Sequence, residues 1–339
     1  MQLEARDVAI VDVETCDFGL LPSYDTETVL RMALPDTWQR YLESSASRRL
    51  IAELGVQRRH LTHLPGQVPD QARLNAFDLA RSAVARLQER RARELEQLDA
   101  LIFVSSSNPN PCNSQAALLA EEFHLTASCM DLKAGCSGGV LALLHAALLI
   151  GAGCERVLVV MAENLSQLTP PDDVRMVLTV GDGAACMLLE KRKGPGFRSM
   201  IHGSAPQFAG AFAVRTPFPP VAADSTYLFE FQQSAAARDF LQAQWRRLYR
   251  TSLGNAGIAD GELAHWFFHQ THAAQVTGLL ADLDAPADSI VVTTHGNMGT
   301  PTFAVAMAHA FAKLEPEQTY LMQAVGGGMS WCAILAEHR

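Results

Sequence analysis

Lysine is scarce in this 339-residue chain, occurring only at positions 133, 191, 193 and 313 while arginine is plentiful. That bias points to a GC-rich, bacterial coding sequence and says nothing about chemistry. Basic blocks are missing too. The densest stretch, Arg90 to Arg93, is flanked by Glu89 and Glu94, and the formal net charge is −9, so nucleic acid is not an expected partner. Cysteine pairs are absent: seven cysteines (16, 112, 129, 136, 154, 186 and 332) form an odd set without a Cys-x-x-Cys, which argues against a disulfide framework and against a zinc site. No apolar run reaches the roughly 20 residues of a bilayer span. The longest, Val140 to Gly153, is interrupted by His145 and reads as a buried helix. The first fifteen residues carry Glu4, Arg6, Asp7 and Asp12 and lack the basic-then-apolar order of a secretion signal, so a cytoplasmic location is expected.

What the chain does have is apolar material, 48% against 19% charged residues, enough for one large core or two fused ones. It also repeats a grammar. Cys129-Met-Asp-Leu-Lys-Ala-Gly-Cys136-Ser-Gly-Gly, followed by an apolar run, matches Ser289-Ile-Val-Val-Thr-Thr-His-Gly-Asn297-Met-Gly, followed by Thr302 to Ala312. Each reads as strand, tight turn, helix. Val180-Gly-Asp-Gly later matches Val325-Gly-Gly-Gly, each a glycine turn entering a strand. Leu98 to Ser106 leading into Asn113 to Phe123 corresponds to His265 to Gln270 leading into Ala273 to Leu280. Three ordered pairs predict two copies of one α/β unit, 1–195 and 196–339, with generic α/β alternation as the plainer alternative. Strands such as Ala100 to Val104, Arg156 to Met161 and Ile290 to Thr293 are nearly all apolar, as expected when helices cover both sheet faces. Two such sheets sharing buried helices give a five-layer α/β/α/β/α body, with Ser137 to Ile150 in the central layer. Gln71 to Glu96 and Ser234 to Leu253 are amphipathic and fit the outer layers.

A cysteine is more often a small core residue than a nucleophile, and six of the seven read that way. Cys136 differs by position. It falls where a strand ends and a helix begins, among Gly135, Gly138 and Gly139. A helix N-terminus places partial positive charge beside the sulfur and favours thiolate. The Cys136 N–H, with a second donor from Gly326-Gly327-Gly328, forms a candidate oxyanion hole, although the triple glycine alone also suits a hairpin. His269 ends an apolar strand, where side chains of α/β proteins meet ligands. Asn297 occupies the turn that duplicates the Cys136 turn, so a two-fold axis would bring both to one thiol.

Asp131-Leu-Lys-Ala-Gly-Cys136-Ser-Gly-Gly, His269-Gln270, Gly296-Asn297 and Gly326-Gly-Gly-Met-Ser-Trp331 together resemble the β-ketoacyl-ACP synthase III branch of the thiolase superfamily, over almost the entire length. The resemblance implies a thiolase-fold homodimer that uses no cofactor. Its substrates would be acyl-CoA or acyl-ACP and malonyl-ACP, so acyl carrier protein is an implied partner. Cys136 would take the acyl group. His269 and Asn297 would hydrogen-bond the thioester oxygen of malonyl-ACP during decarboxylation, and the N–H groups of Cys136 and Gly327 would hold the tetrahedral oxyanion.

Departures from the family pattern bear on substrate. Val325 stands where degradative thiolases carry a second cysteine, and no glutamate lies between Ser105 and Ala120, where non-decarboxylating relatives place their base. Decarboxylative condensation is therefore favoured. The coenzyme A contacts of housekeeping members correspond here to Arg49 and Glu53, and an Asn and an Arg are replaced by His272 and Ala274. The segment that carries an acyl-limiting Phe reads Asn108-Pro-Asn-Pro-Cys112-Asn113. Cys112, Asn113, His272, His295 and Val325 are thus the candidate substrate contacts, in a specialised fatty acid or polyketide-type pathway. Two other readings stay open: transfer of the acyl group to a hydroxyl or amine, suggested by the weakened coenzyme A contacts and by His295 beside Gly296-Asn297, and a non-catalytic partner subunit of a ketosynthase.

Overall fold

The computed structural model describes the chain except residues 1, 6, 65–73, 111, 217–226, 233, 260, 287–289 and 328. Residues 71–73 of the expected outer helix, Ser289 and Gly328 therefore lie outside the described residues. Two five-stranded sheets dominate. The first has the order β2 (Val8–Thr15), β8 (Asp182–Lys191), β7 (Arg156–Asn164), β5 (Ala100–Val104) and β6 (Ser128–Leu132). Its β5, β6 and β7 run parallel; β8 pairs antiparallel with β7, and β2 pairs antiparallel with β8. The second has the order β1 (Gln2–Ala5), β9 (Phe197–Ser204), β14 (Ser330–Glu337), β13 (Thr319–Val325) and β12 (His265–Phe268), with only β12 and β13 parallel. Two small two-stranded antiparallel sheets, β3 (Ser23–Asp25) with β4 (Arg58–His60) and β10 (Phe212–Val214) with β11 (Phe229–Phe231), flank them.

Helices fill the spaces that apolar strands demand. Every residue of β5 is buried, because helices cover both of its faces. On the outer side of the first sheet lie α4 (Ala76–Glu96) and α5 (Gln115–Glu122), preceded in the chain by α1 (Thr26–Ala33), α2 (Trp38–Glu43) and α3 (Ser45–Leu54). Between the sheets sit α6 (Gly138–Gly151) and α11 (Thr302–Phe311), whose Leu143, Ala147, Phe303 and Met307 join strand residues of both sheets in one core. Outside the second sheet are α8 (Ala235–Ala256) and α9 (Ala273–Leu283). The short helices α7 (Val174–Thr179) and α10 (Val292–His295) complete the set. The result is the α/β/α/β/α layering expected from the sequence.

Two local expectations fail. Ile290 to Thr293 is not a strand: Val292–His295 forms one helical turn, because the Gln270 side-chain carbonyl accepts from Val291 N (2.9 Å) and Val292 N (3.1 Å) and satisfies donors that a sheet would otherwise take. Nor is α6 covered on every side. His145 and Leu148 are exposed on one of its edges, Leu148 by 48%. Among the described residues no helix is long and apolar enough to cross a membrane.

Candidate functional site

Strand β6 ends at Leu132 and the chain turns through Gly135, whose φ of +56° is open to glycine at little cost, into a 3-10 turn, Gly135–Ser137, at the head of α6. Cys136 lies in that turn. Its neighbours must be glycines for a packing reason: a Cβ on Gly139 would stand 2.7 Å from both Met161 Sδ and Phe303 Cε1. A Cβ on Gly326 would come 3.0 Å from Ser137 N, so the glycine turn after β13 passes directly against the cysteine turn. Ser137 Oγ and Ser330 Oγ, 2.6 Å apart, pin the two together, one donating to the other while the second is free to donate to Ala134 O, which lies 3.0 and 3.1 Å from the two hydroxyls. The Cys136 sulfur consequently lies beside two backbone N–H groups, its own and that of Gly327.

The expected thiolate does not follow. Desolvation by burial, and secondarily the charge of Glu163, push the Cys136 thiol up to about 11, while the two N–H groups act in the opposite direction without prevailing. The helix terminus was the only influence visible in the sequence; removal of water outweighs it. At neutral pH the group is a thiol.

His269 follows β12, its backbone N–H held by Gln323 O at 2.9 Å. Burial pushes the ring down to about 4, with the Gly299 backbone working the other way, so it is a neutral imidazole at pH 7. Asn297 follows α10. Its backbone is bolted to the 179–181 turn by Asn297 N to Thr179 O (2.7 Å) and Gly181 N to Asn297 O (2.9 Å). No Cβ fits at Gly181, where it would be 2.0 Å from His295 O. The Asn297 Oδ1 accepts from Gly299 N at 3.0 Å, which fixes the amide and leaves its NH2 group to serve a ligand oxygen.

Cys136, His269, Asn297 and Gly327 all line one cavity of about 670 Å³, together with Val325 and His272. The His272 ring also caps α9 by accepting from Gln275 N. Phe212, Phe229 and Leu241 make part of the wall apolar. The other expected contacts are elsewhere. Cys112 and Asn113 are exposed and outside the cavity wall of this chain. His295 points behind the Asn297 turn, where its ring packs on Phe18 (4.5 Å between centroids), His60 (5.1 Å) and His309 (5.7 Å) rather than on the cavity. The wall also carries residues that the sequence does not single out, among them Glu163 near the end of β7. Its only sequence signal is an acid interrupting the apolar run Val157 to Ala162. Among the described residues no three His, Cys, Asp or Glu side chains converge as a metal site would require.

This constellation suits acyl transfer: a nucleophilic sulfur, two N–H donors for a tetrahedral oxyanion, and a second donor pair, imidazole and amide, across the cavity. Comparison with known proteins agrees. Residues 130–205 match the family model 3-oxoacyl-[acyl-carrier-protein (ACP)] synthase III, and residues 253–338 match the model of its C-terminal part. The β-ketoacyl-[acyl-carrier-protein] synthase III of Jannaschia sp. is 25% identical over 333 residues, 93% of this chain and 94% of the relative. That of Methylococcus capsulatus is 26% identical over 335 residues, 94% and 97% of the two chains. The crystal structure of a 3-oxoacyl-(acyl-carrier protein) synthase from Burkholderia xenovorans superposes with a TM-score of 0.84 at 24% identity, covering 100% of this chain and 96% of that one. The layering is therefore the thiolase fold, and over almost its whole length the chain is similar to β-ketoacyl-ACP synthase III acyltransferases.

Proposed function

We propose that the chain is a condensing enzyme that loads an acyl group on Cys136 and transfers it to a carbon nucleophile made by decarboxylation. The observation that carries this reading is the meeting, in one cavity, of the sulfur between two N–H groups with a neutral imidazole and an oriented amide.

In the first stage Cys136 loses its proton and its sulfur attacks the carbonyl of an acyl-CoA or acyl-ACP thioester. The oxyanion rests on the N–H groups of Cys136 and Gly327; the carbon–sulfur bond to the carrier breaks, and the carrier leaves as a thiol carrying that proton. Malonyl-ACP or a related extender then binds with its thioester oxygen between His269 and Asn297. Loss of carbon dioxide moves the electron pair of the broken carbon–carbon bond onto that oxygen, where two neutral donors hold the enolate. The enolate carbon attacks the acyl group, the tetrahedral intermediate returns to the same pair of N–H groups, and Cys136 departs with a β-ketoacyl thioester as product. These steps call on no cofactor. A neutral His269 suits the donor role, since an imidazole with so low a pKa is a weak base at neutral pH.

The two turns that border the cavity support a division into related halves, 1–195 and 196–339. The open edge strand β6 and the exposed Leu148 support a homodimer. The hydroxyl or amine acceptor loses one of its two motives, because His295 does not line the cavity, and keeps only the altered coenzyme A contacts.

Intact-protein mass spectrometry after incubation with a panel of acyl-CoA and acyl-ACP donors, followed by malonyl-ACP, tests the reading. A mass gain on Cys136, then carbon dioxide and a β-ketoacyl product, is expected. Acylation followed by an ester or amide product, with no carbon dioxide, would reject it.

A further inference from the structure

The penultimate residue of strand β7 is Glu163, a carboxylate only 1% exposed. Burying such a group is costly unless donors surround it. Donors do surround it. Oε1 accepts from Ser106 N at 2.9 Å and Thr300 Oγ1 at 3.2 Å. Oε2 accepts from Ser107 N at 3.1 Å, Ser107 Oγ at 2.5 Å and Ser105 Oγ at 3.3 Å. These five donors occupy the lone pairs of the two oxygens, so the carboxylate is not placed to abstract a proton from a substrate. They come from two separate places: the 105–107 turn after β5, and Thr300 at the entry to α11.

Thr300 adjoins Gly299, and Gly299 is the hub of the donor pair. Its N–H fixes Asn297 Oδ1 at 3.0 Å and its backbone meets the His269 ring. Its φ of +67° is a glycine conformation, and a Cβ there would stand 3.3 Å from Glu163 Cγ. Glu163 is thus packed against the turn that orients both donors and is tied to it.

We propose that Glu163 is a positioning residue for the condensation half-reaction: its carboxylate joins the 105–107 turn to Thr300 and so holds Gly299 where it orients the Asn297 amide and the His269 ring. The proposal rests on the reading of that pair as the enolate donors. Burial pushes the Glu163 carboxyl up to about 7 against the pull of its donors. Below that pH it gains a proton, one of the fixed N–H groups of Ser106 or Ser107 loses its acceptor, and the tie loosens. The other titratable groups bordering it are Cys136, pushed up to about 11, His269, pushed down to about 4, and Asp182 on β8, raised by burial and bound to Thr62 and Ser166.

Single-turnover kinetics on the full chain test this. Glu163→Gln enzyme should acylate at an unchanged or faster rate, since the charge that disfavours the Cys136 thiolate is gone. Pre-acylated Glu163→Gln enzyme mixed with malonyl-ACP should condense about 10- to 100-fold slower than wild type, the scale set by a small misplacement of reacting groups. Wild-type condensation should fall as pH drops through about 7, and the variant should lose that limb. Thr300→Val, which cuts one tie and keeps the carboxylate, should show a milder condensation defect and keep the limb; it decides the matter if Glu163→Gln does not fold. Condensation at the wild-type rate in both variants, a pH limb that survives Glu163→Gln, or equal loss of acylation and condensation would overturn the proposal. A wild-type enzyme that acylates but never releases carbon dioxide would instead overturn the functional reading beneath it.

Discussion

The turn before α6 and the turn before α11 border the same cavity, yet they are secured by different means. The Cys136 turn follows a parallel edge strand and is fixed by side-chain hydroxyls, Ser137 against Ser330, and by the close passage of Gly326. The Asn297 turn follows a single helical turn capped by Gln270 and is fixed by backbone bonds to residues 179–181. The first arrangement surrounds a sulfur that changes its covalent state and must face the cavity. The second holds an amide that never reacts, so what counts there is orientation. Damage to the first turn should abolish the reaction, and damage to the second should slow one stage of it.

The sharpest way to break this contrast is to delete the sulfur. Cys136→Ala should lose about 10⁴-fold or more in turnover, as expected for removal of a covalent nucleophile, and should gain no mass with any acyl donor in intact-protein mass spectrometry. Asn297→Ala should take up the acyl group at a near-normal rate but condense about 10²- to 10³-fold slower in single-turnover assays, the scale of one lost transition-state donor. Equal impairment of both stages would erase the distinction between the turns. Gly139→Ala should destabilise the fold by about 1–3 kcal/mol in denaturant unfolding, because the added methyl overlaps Met161 and Phe303 where α6 meets α11. Alkylation of Cys136 by iodoacetamide should accelerate about tenfold per pH unit from neutrality upward, since only the thiolate reacts, and should level off near a thiol pKa of about 11. A plateau at pH 7 would show that the helix terminus wins after all. Smallest of these, Ser137→Ala should cost about 0.5–1.5 kcal/mol through loss of the bond to Ser330.

Much of the architecture is legible in the residues because burial on both faces leaves a plain mark. Ala100–Val104 is a strand with the bounds its apolar run suggests, and α11 begins at Thr302 as expected. Cys136, His269 and Asn297 stand out because glycines or strand ends adjoin them. What escaped notice depends on distant contacts. Ile290 to Thr293 has the composition of a strand, and only the Gln270 side chain, some twenty residues earlier, makes part of it a helical turn. Glu163 looks like the polar end of a buried strand until the fold brings Thr300 to it. The thiol's protonation is not legible in the residues, because a helix terminus is local and readable whereas desolvation is assembled from the whole cavity. His295 adjoins Asn297 in sequence, but the α10 turn sends its ring the other way.

The protonated state of Cys136 reaches beyond turnover. Peroxide and electrophilic metabolites attack sulfur through the thiolate, so a group with a pKa near 11 is in reactive form only about once in 10⁴ molecules at pH 7. Such a sulfur is expected to react slowly with oxidants between substrates, while a bound thioester still offers it a carbonyl to attack.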